Sequence, residues 1–181
     1  ILSLFVKEFL PRLDPANTGI VLVHPINPWG MQQQRRTNAH NVDLNRNFVW
    51  EIGNFQTFTN PGYEQIKGFL NPQRELGPYP WEKAAFLFRL LKTILAVGRE
   101  RLQSAALLGQ YQYPRGIYYG GDKVQFETQV MQDLYSTAFK KYRQIVHVDI
   151  HTGYGPRGQM TLVNSPLESR TPAQLSQLLD Y

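Results

Sequence analysis

The chain has no cysteine. That removes disulfides, thiolate metal sites and a cysteine nucleophile together, so any metal would have to be held by His, Asp or Glu. No apolar run approaches the roughly 18 residues that a membrane span requires. The opening ILSLFVKEFLPRL carries Lys7, Glu8 and Arg12 at helical spacing in place of a signal-peptide layout. There is no internal repeat and no low-complexity tract. Charge is sparse as well: 19 Lys and Arg against 14 Asp and Glu give +5, without the dense basic clusters of a nucleic-acid face. These absences describe a soluble protein with no nucleic-acid or membrane partner. The compartment stays open, with the cytoplasm favoured.

What is present is a folded composition, 42% hydrophobic and 18% charged over 181 residues, enough for one well-filled domain. The first ten residues read as an amphipathic helix and begin at Ile1, which suggests a chain cut from something longer. GIVLVHP, Gly19 to Pro25, reads as a strand buried on both faces and stopped by Pro25 and Pro28. The polar segment Asn27 to His40 reads as a loop above a sheet. Asn60 and Pro61 open a helix through Phe69, ended by Asn71 and Pro72. A longer helical pattern runs from Pro80 to Leu108, broken or bent at Gly98. Gly109 to Lys123 is an aromatic loop that lines a pocket or packs against that long helix, packing being the favoured reading. Val124 to Tyr142 is helical, Gln144 to Ile150 is a strand, and Pro172 to Leu179 is a last helix. Strands separated by helices predict an α/β sandwich with a mixed, largely parallel sheet.

Two segments carry chemistry. In NAHNVDLNRNFVW, Asn38 to Trp50, Val42 and Leu44 alternate with Asp43 and Asn45 as a half-buried strand does, and Arg46 and Asn47 follow at its end. A guanidinium makes two-pronged, charge-assisted hydrogen bonds to carboxylates, and an amide such as Asn45 can join the clamp. The competing reading of Arg46 is a structural ion pair with Asp43 or Asp149. In QIVHVDIHTGYGP, Gln144 to Pro156, period two places His147, Asp149 and His151 on one face, with His151 at the strand's C-terminal end where open sheets bind ligands. Alternatively His147 and Asp149 pair with each other or with backbone while His151 caps the strand, or both histidines bind one metal.

The run R-R-T-N-A-H-N-V-D-L-N-R-N-F, Arg35 to Phe48, followed about a hundred residues later by V-D-I-H-T-G, resembles the zinc carboxypeptidase superfamily. HPINPWG, NPGYEQIKGFLNP and PRGIYYGG resemble a mostly bacterial branch of it. The resemblance implies a three-layer sandwich, incomplete here, with residues 1–181 forming part of a single catalytic domain. It implies zinc, with His151 as one ligand. Asn45 and Arg46 would grip a substrate's terminal carboxylate, and Asp43 would orient a ligating histidine. Arg36 would polarise the scissile carbonyl, with Arg35 as the alternative. The reaction implied is hydrolysis of an amide bond next to a free carboxylate, in a small peptide or acyl-amino acid, by zinc-activated water. The alternative class is a non-catalytic carboxylate-binding module.

The chain departs from that pattern in two places. The H-x-x-E motif that supplies the other two zinc ligands is missing, since neither His24 nor His40 is followed by Glu at that spacing. The general-base glutamate is not evident either, because Glu168 lies too near His151 and its setting SPLESR reads as surface. The expectation is a piece of a longer protein, catalytically incompetent alone, with two ligands outside it.

Overall fold

After an opening helix α1 (Leu2–Glu8), two asparagine–proline pairs start helices in the same way. Asn27 accepts the Gly30 N–H at 2.8 Å and opens α2 (Pro28–Gln32). Asn60 accepts the Tyr63 N–H at 3.0 Å and opens α3 (Pro61–Leu70). In both, the side-chain oxygen satisfies a donor that the first turn leaves over, and proline sits where a missing N–H costs nothing. Two further helices follow, α4 (Tyr79–Val97) and α5 (Arg99–Leu108). Gly98 parts them at φ 85, a left-handed conformation that favours glycine, so the long helical pattern ends in a full break. Then come α6 (Phe126–Lys141), whose last turn carries Lys140 and Lys141 where cations offset the helix dipole, and α7 (Pro172–Leu179).

The structure, a computed structural model, describes residues 2–48, 55, 58–75, 77–150, 156–158, 161, 163 and 169–179. The chain divides into two compact units, Ile1–Tyr142 and Arg143–Tyr181. In the first unit α3, α4 and α5 pack pairwise, with Phe69 and Phe86 ring centroids 5.5 Å apart. Val42, Leu44, Tyr63, Ile66, Ala105, Tyr119 and Met131 are buried there. Hydrogen bonds fasten the aromatic loop to α3. The Tyr63 hydroxyl donates to the Ile117 carbonyl at 2.7 Å, and Tyr113 meets both Glu64 and Lys67.

The expected three-layer sheet sandwich is not what these residues build. Among the described residues the only strand-like pairing is an isolated bridge between Gln110 and Tyr119. Residues 19–25 and 144–150 belong to no helix and form no ladder, and Val146 is 89% exposed. Alternating or continuous apolar residues state a burial preference. They do not supply the neighbouring edge whose N–H and C=O groups a strand must meet. The Val42–Leu44 alternation belongs instead to a tight turn running into a 3-10 turn, Leu44–Arg46. The loop predicted over Asn27 to His40 contains α2, because Asn27–Pro28 caps a helix and does not merely stop a strand. Among the described residues no helix is long and apolar enough to cross a membrane.

The start of α4 is pinned by charge. Arg74 grips Glu82 with two hydrogen bonds of 2.6 and 2.5 Å, and the Gly77 N–H adds a third at 2.8 Å. Arg74, then Gly77, hold the Glu82 carboxyl down at about 2, against an ordinary 4.5. A carboxyl whose pKa is lower folded than unfolded contributes stability that is complete above 4.5 and is lost as pH falls towards about 2. Titration of the Glu82 carboxyl carbon by NMR is expected to show this low midpoint, and Arg74→Ala to return it towards the ordinary value.

Candidate functional site

A five-residue turn, Asn38 to Val42, positions everything that follows. It closes with the Asn38 N–H on the Val42 carbonyl at 2.9 Å. The Asn38 side chain accepts from the backbone N–H groups of His40 and Val42, both at 3.0 Å. Asn41 takes the left-handed φ of 61 that asparagine tolerates, and its amide donates to Pro114 O at 2.8 Å and Gly116 O at 3.1 Å. The Asp43 N–H donates to Tyr119 O at 2.7 Å. The turn is thus fastened to the aromatic loop through Asn41 and Asp43.

Asp43 is 2% exposed and both its oxygens are used. One accepts the Asn45 N–H at 3.2 Å and caps the 3-10 turn; the other accepts Arg36 Nε at 2.8 Å. A buried carboxylate needs such pairing to remain charged. The partner is therefore Arg36, and the ion pair considered for Arg46 with Asp43 does not form. The Arg36 side chain is 57% exposed, with its guanidinium carbon 5.6 Å from the Tyr118 ring centroid. Beyond Nε, the Arg36 guanidinium makes no hydrogen bond among the described residues.

Among the described residues Arg46 is held by its stem and backbone and not by an anion. Its side chain passes so close to Gly109 that a Cβ there would lie 2.8 Å from Arg46 Cδ, and Gly109 has φ 73, so glycine is required twice over. The Arg46 carbonyl accepts the Tyr111 hydroxyl at 2.6 Å, and Phe58 meets the Tyr111 ring edge-on at 5.2 Å. Burial raises the Tyr111 hydroxyl above its usual pKa, and the Arg46 charge opposes the rise. On the guanidinium itself, Nη1 donates to Asn45 O at 3.2 Å while Nε is buried with no acceptor among the described residues. The Asn45 side chain is exposed and makes no hydrogen bond among those residues.

Asn47 is the hub of this region, 0% exposed and fully bonded. Its amide nitrogen donates to Gly120 O at 2.8 Å and Lys123 O at 2.9 Å. Its oxygen accepts from Gln125 N and Thr128 Oγ1, both at 2.8 Å. One side chain therefore ties the Arg46 turn to the loop before α6 and to the first turn of that helix. Sequence reasoning singled out its neighbours and not Asn47. Its placement immediately after the strand-like run was the only signal.

Asp43 joins Arg36 to Asn45 through its two oxygens, and Arg46 follows in the same 3-10 turn, whereas Arg35 is exposed with its N–H on Gly30 O at 2.7 Å. His151 lies outside the described residues. In the second unit His147 and Asp149 are exposed. Among the described residues no three His, Cys, Asp or Glu side chains lie close enough to hold a metal ion. The turn thus presents cationic and amide donors with one buried, already paired carboxylate behind them, an arrangement suited to binding an anion.

Comparison with curated proteins and with solved structures found no match. A family model described as "Protein of unknown function (DUF2817)" matches residues 1–178. With nearly the whole length covered, the chain belongs to the DUF2817 family.

Proposed function

We propose that Arg46 and Asn45, with Arg36 beside them, recognise the free carboxylate of a small peptide or acyl-amino acid, as the substrate-gripping part of a metallopeptidase- or amidohydrolase-type enzyme. The observation that carries the reading is the state of Arg46. A guanidinium with a buried, unmatched donor is costly unless an anion completes it, and the one carboxylate in the turn is committed to Arg36. The exposed Asn45 amide stands next to it in the chain as a further donor. In this arrangement Arg46 and Asn45 fix the carboxylate end of the substrate, and the outward part of Arg36 supplies positive charge for a neighbouring carbonyl oxygen.

The hydrolytic half rests on the resemblance of residues 35–48 and 148–153 to zinc carboxypeptidases. Zinc would supply an activated water, with His151 as this chain's ligand. The described residues contain no donor set that fits the metal.

The test is turnover of N-acyl-amino acids and dipeptides by full-length protein supplied with zinc, beside the same compounds with the carboxylate converted to carboxamide. Cleavage confined to the free carboxylates is expected. Equal cleavage of both forms, or neither cleavage nor binding of any carboxylate, would overturn the reading. Carboxylate binding that survives a chelator, with no turnover, would mark a binding module instead.

A further inference from the structure

The helices α3 and α5 approach so closely that a Cβ on Gly62 would lie 2.9 Å from Ala105 Cβ. The Asn60 amide locks this approach, donating to the Ala105 and Gly109 carbonyls at 2.9 and 2.7 Å. Ala105 lies in the last turn of α5, where carbonyls lack a partner within the helix, so the bond satisfies a group that would otherwise need water. Beside this pinned contact lies a cleft of about 340 Å3, inside the range of about 300–1,000 Å3 typical of small-molecule sites. Its walls are held apart by the fold itself and are in place before any ligand arrives.

Arg101, Ser104, Ala105 and Leu108 line the cleft from α5 at the spacing of a single helix face. Gln65 and Ile66 line it from α3, and Val97 from the end of α4. Among the described residues Arg101 is the one charged group of the lining, and neither a carboxylate nor an aromatic ring takes part in it. Arg101, Gln65 and Ser104 are exposed, and their side chains make no hydrogen bond among the described residues. The cleft therefore offers an uncommitted guanidinium, amide and hydroxyl beside an aliphatic wall of Ile66, Val97 and Leu108.

We infer that this cleft binds a short aliphatic carboxylate, its head on Arg101 and its chain along Ile66, Val97 and Leu108. A guanidinium takes a carboxylate through two parallel hydrogen bonds, and one positive charge matches a monoanion better than a phosphate dianion. With no ring in the lining there is no stacking surface for a nucleobase or an aromatic side chain, so the apolar part of the ligand is aliphatic. The cleft shares no residue with the Asn45 and Arg46 clamp. Failure of either reading leaves the other standing.

NMR titration of the whole chain carrying Arg46→Ala, which disables the clamp, tests the cleft by itself. Hexanoate is expected to shift the Gln65 side-chain amide and Arg101 Nε–H resonances saturably. Butyrate should bind about 15-fold more weakly, since each methylene lost is worth about fourfold in affinity. Hexanol, which keeps the chain and lacks the charge, should bind about tenfold more weakly or less well still. Arg101→Gln is expected to abolish the preference for hexanoate over hexanol. Because Arg101 is exposed and unpaired among the described residues, its urea transition should stay where it was. Gln65 and Arg101 resonances that hexanoate leaves in place, hexyl phosphate binding more tightly than hexanoate, or a hexanoate preference that persists in Arg101→Gln would overturn the inference.

Discussion

Asn47→Ala is expected to lower the unfolding free energy by about 3–5 kcal/mol. Three groups lose their partner at once, the Gly120 carbonyl, the Gln125 N–H and the Thr128 hydroxyl, and the Lys123 carbonyl keeps only its 3.2 Å bond from Gln125 Nε2. Stranding a buried polar group costs about 1–3 kcal/mol, and partial relaxation or water entry keeps the sum below the simple total. A loss of this size is a large share of the roughly 5–15 kcal/mol that holds an ordinary domain together. Asn47→Asp keeps the acceptor but loses both donated bonds and buries a charge, so it too is expected to destabilise. Thr128→Val removes one bond and should cost about 1 kcal/mol. Urea unfolding measures all three. An Asn47→Ala change below that of Thr128→Val would show that the hub does not exist.

Arg46→Ala is expected to weaken binding of an N-acetyl-amino acid by about 10- to 150-fold while leaving the unfolding transition almost unmoved. Hydrogen bonds to charged groups contribute about 1.5–3 kcal/mol, and each 1.4 kcal/mol is tenfold in affinity. The fold should tolerate the change because the guanidinium gives it only one 3.2 Å bond to a backbone carbonyl. Arg46→Lys is expected to recover little, since an ammonium cannot make the two parallel bonds of a guanidinium. Arg36→Ala provides a contrast. It strands the buried Asp43 carboxylate and should therefore reduce stability as well as affinity. Calorimetry paired with urea unfolding separates these patterns.

What the sequence disclosed follows from the range of the interactions involved. The Asn60–Pro61 start of α3 and the break at Gly98 are set within a few residues, and both were legible. Asn27–Pro28 carries the same capping chemistry, but the apolar run before it suggested a strand and drew the proline into the role of terminator. The sheet expectation failed because pairing needs a second edge, which no single segment encodes. At the site, the residue types of Arg36, Asp43, Asn45 and Arg46 pointed to cations and an amide around a carboxylate. Which cation pairs with Asp43 depended on how the turn folds. The buried amides Asn38, Asn47 and Gln125 left almost no trace, since their partners include groups more than 70 positions away. Periodicity cannot report a contact of that kind.

The most direct measurement of the central claim is calorimetric titration of the chelator-treated chain with an N-acetyl-amino acid and, separately, with its carboxamide. Binding of the carboxylate at least tenfold tighter than the amide, with the difference abolished by Arg46→Ala, is the predicted result. Equal affinity for the two ligands, or a carboxylate preference that persists without Arg46, would contradict it.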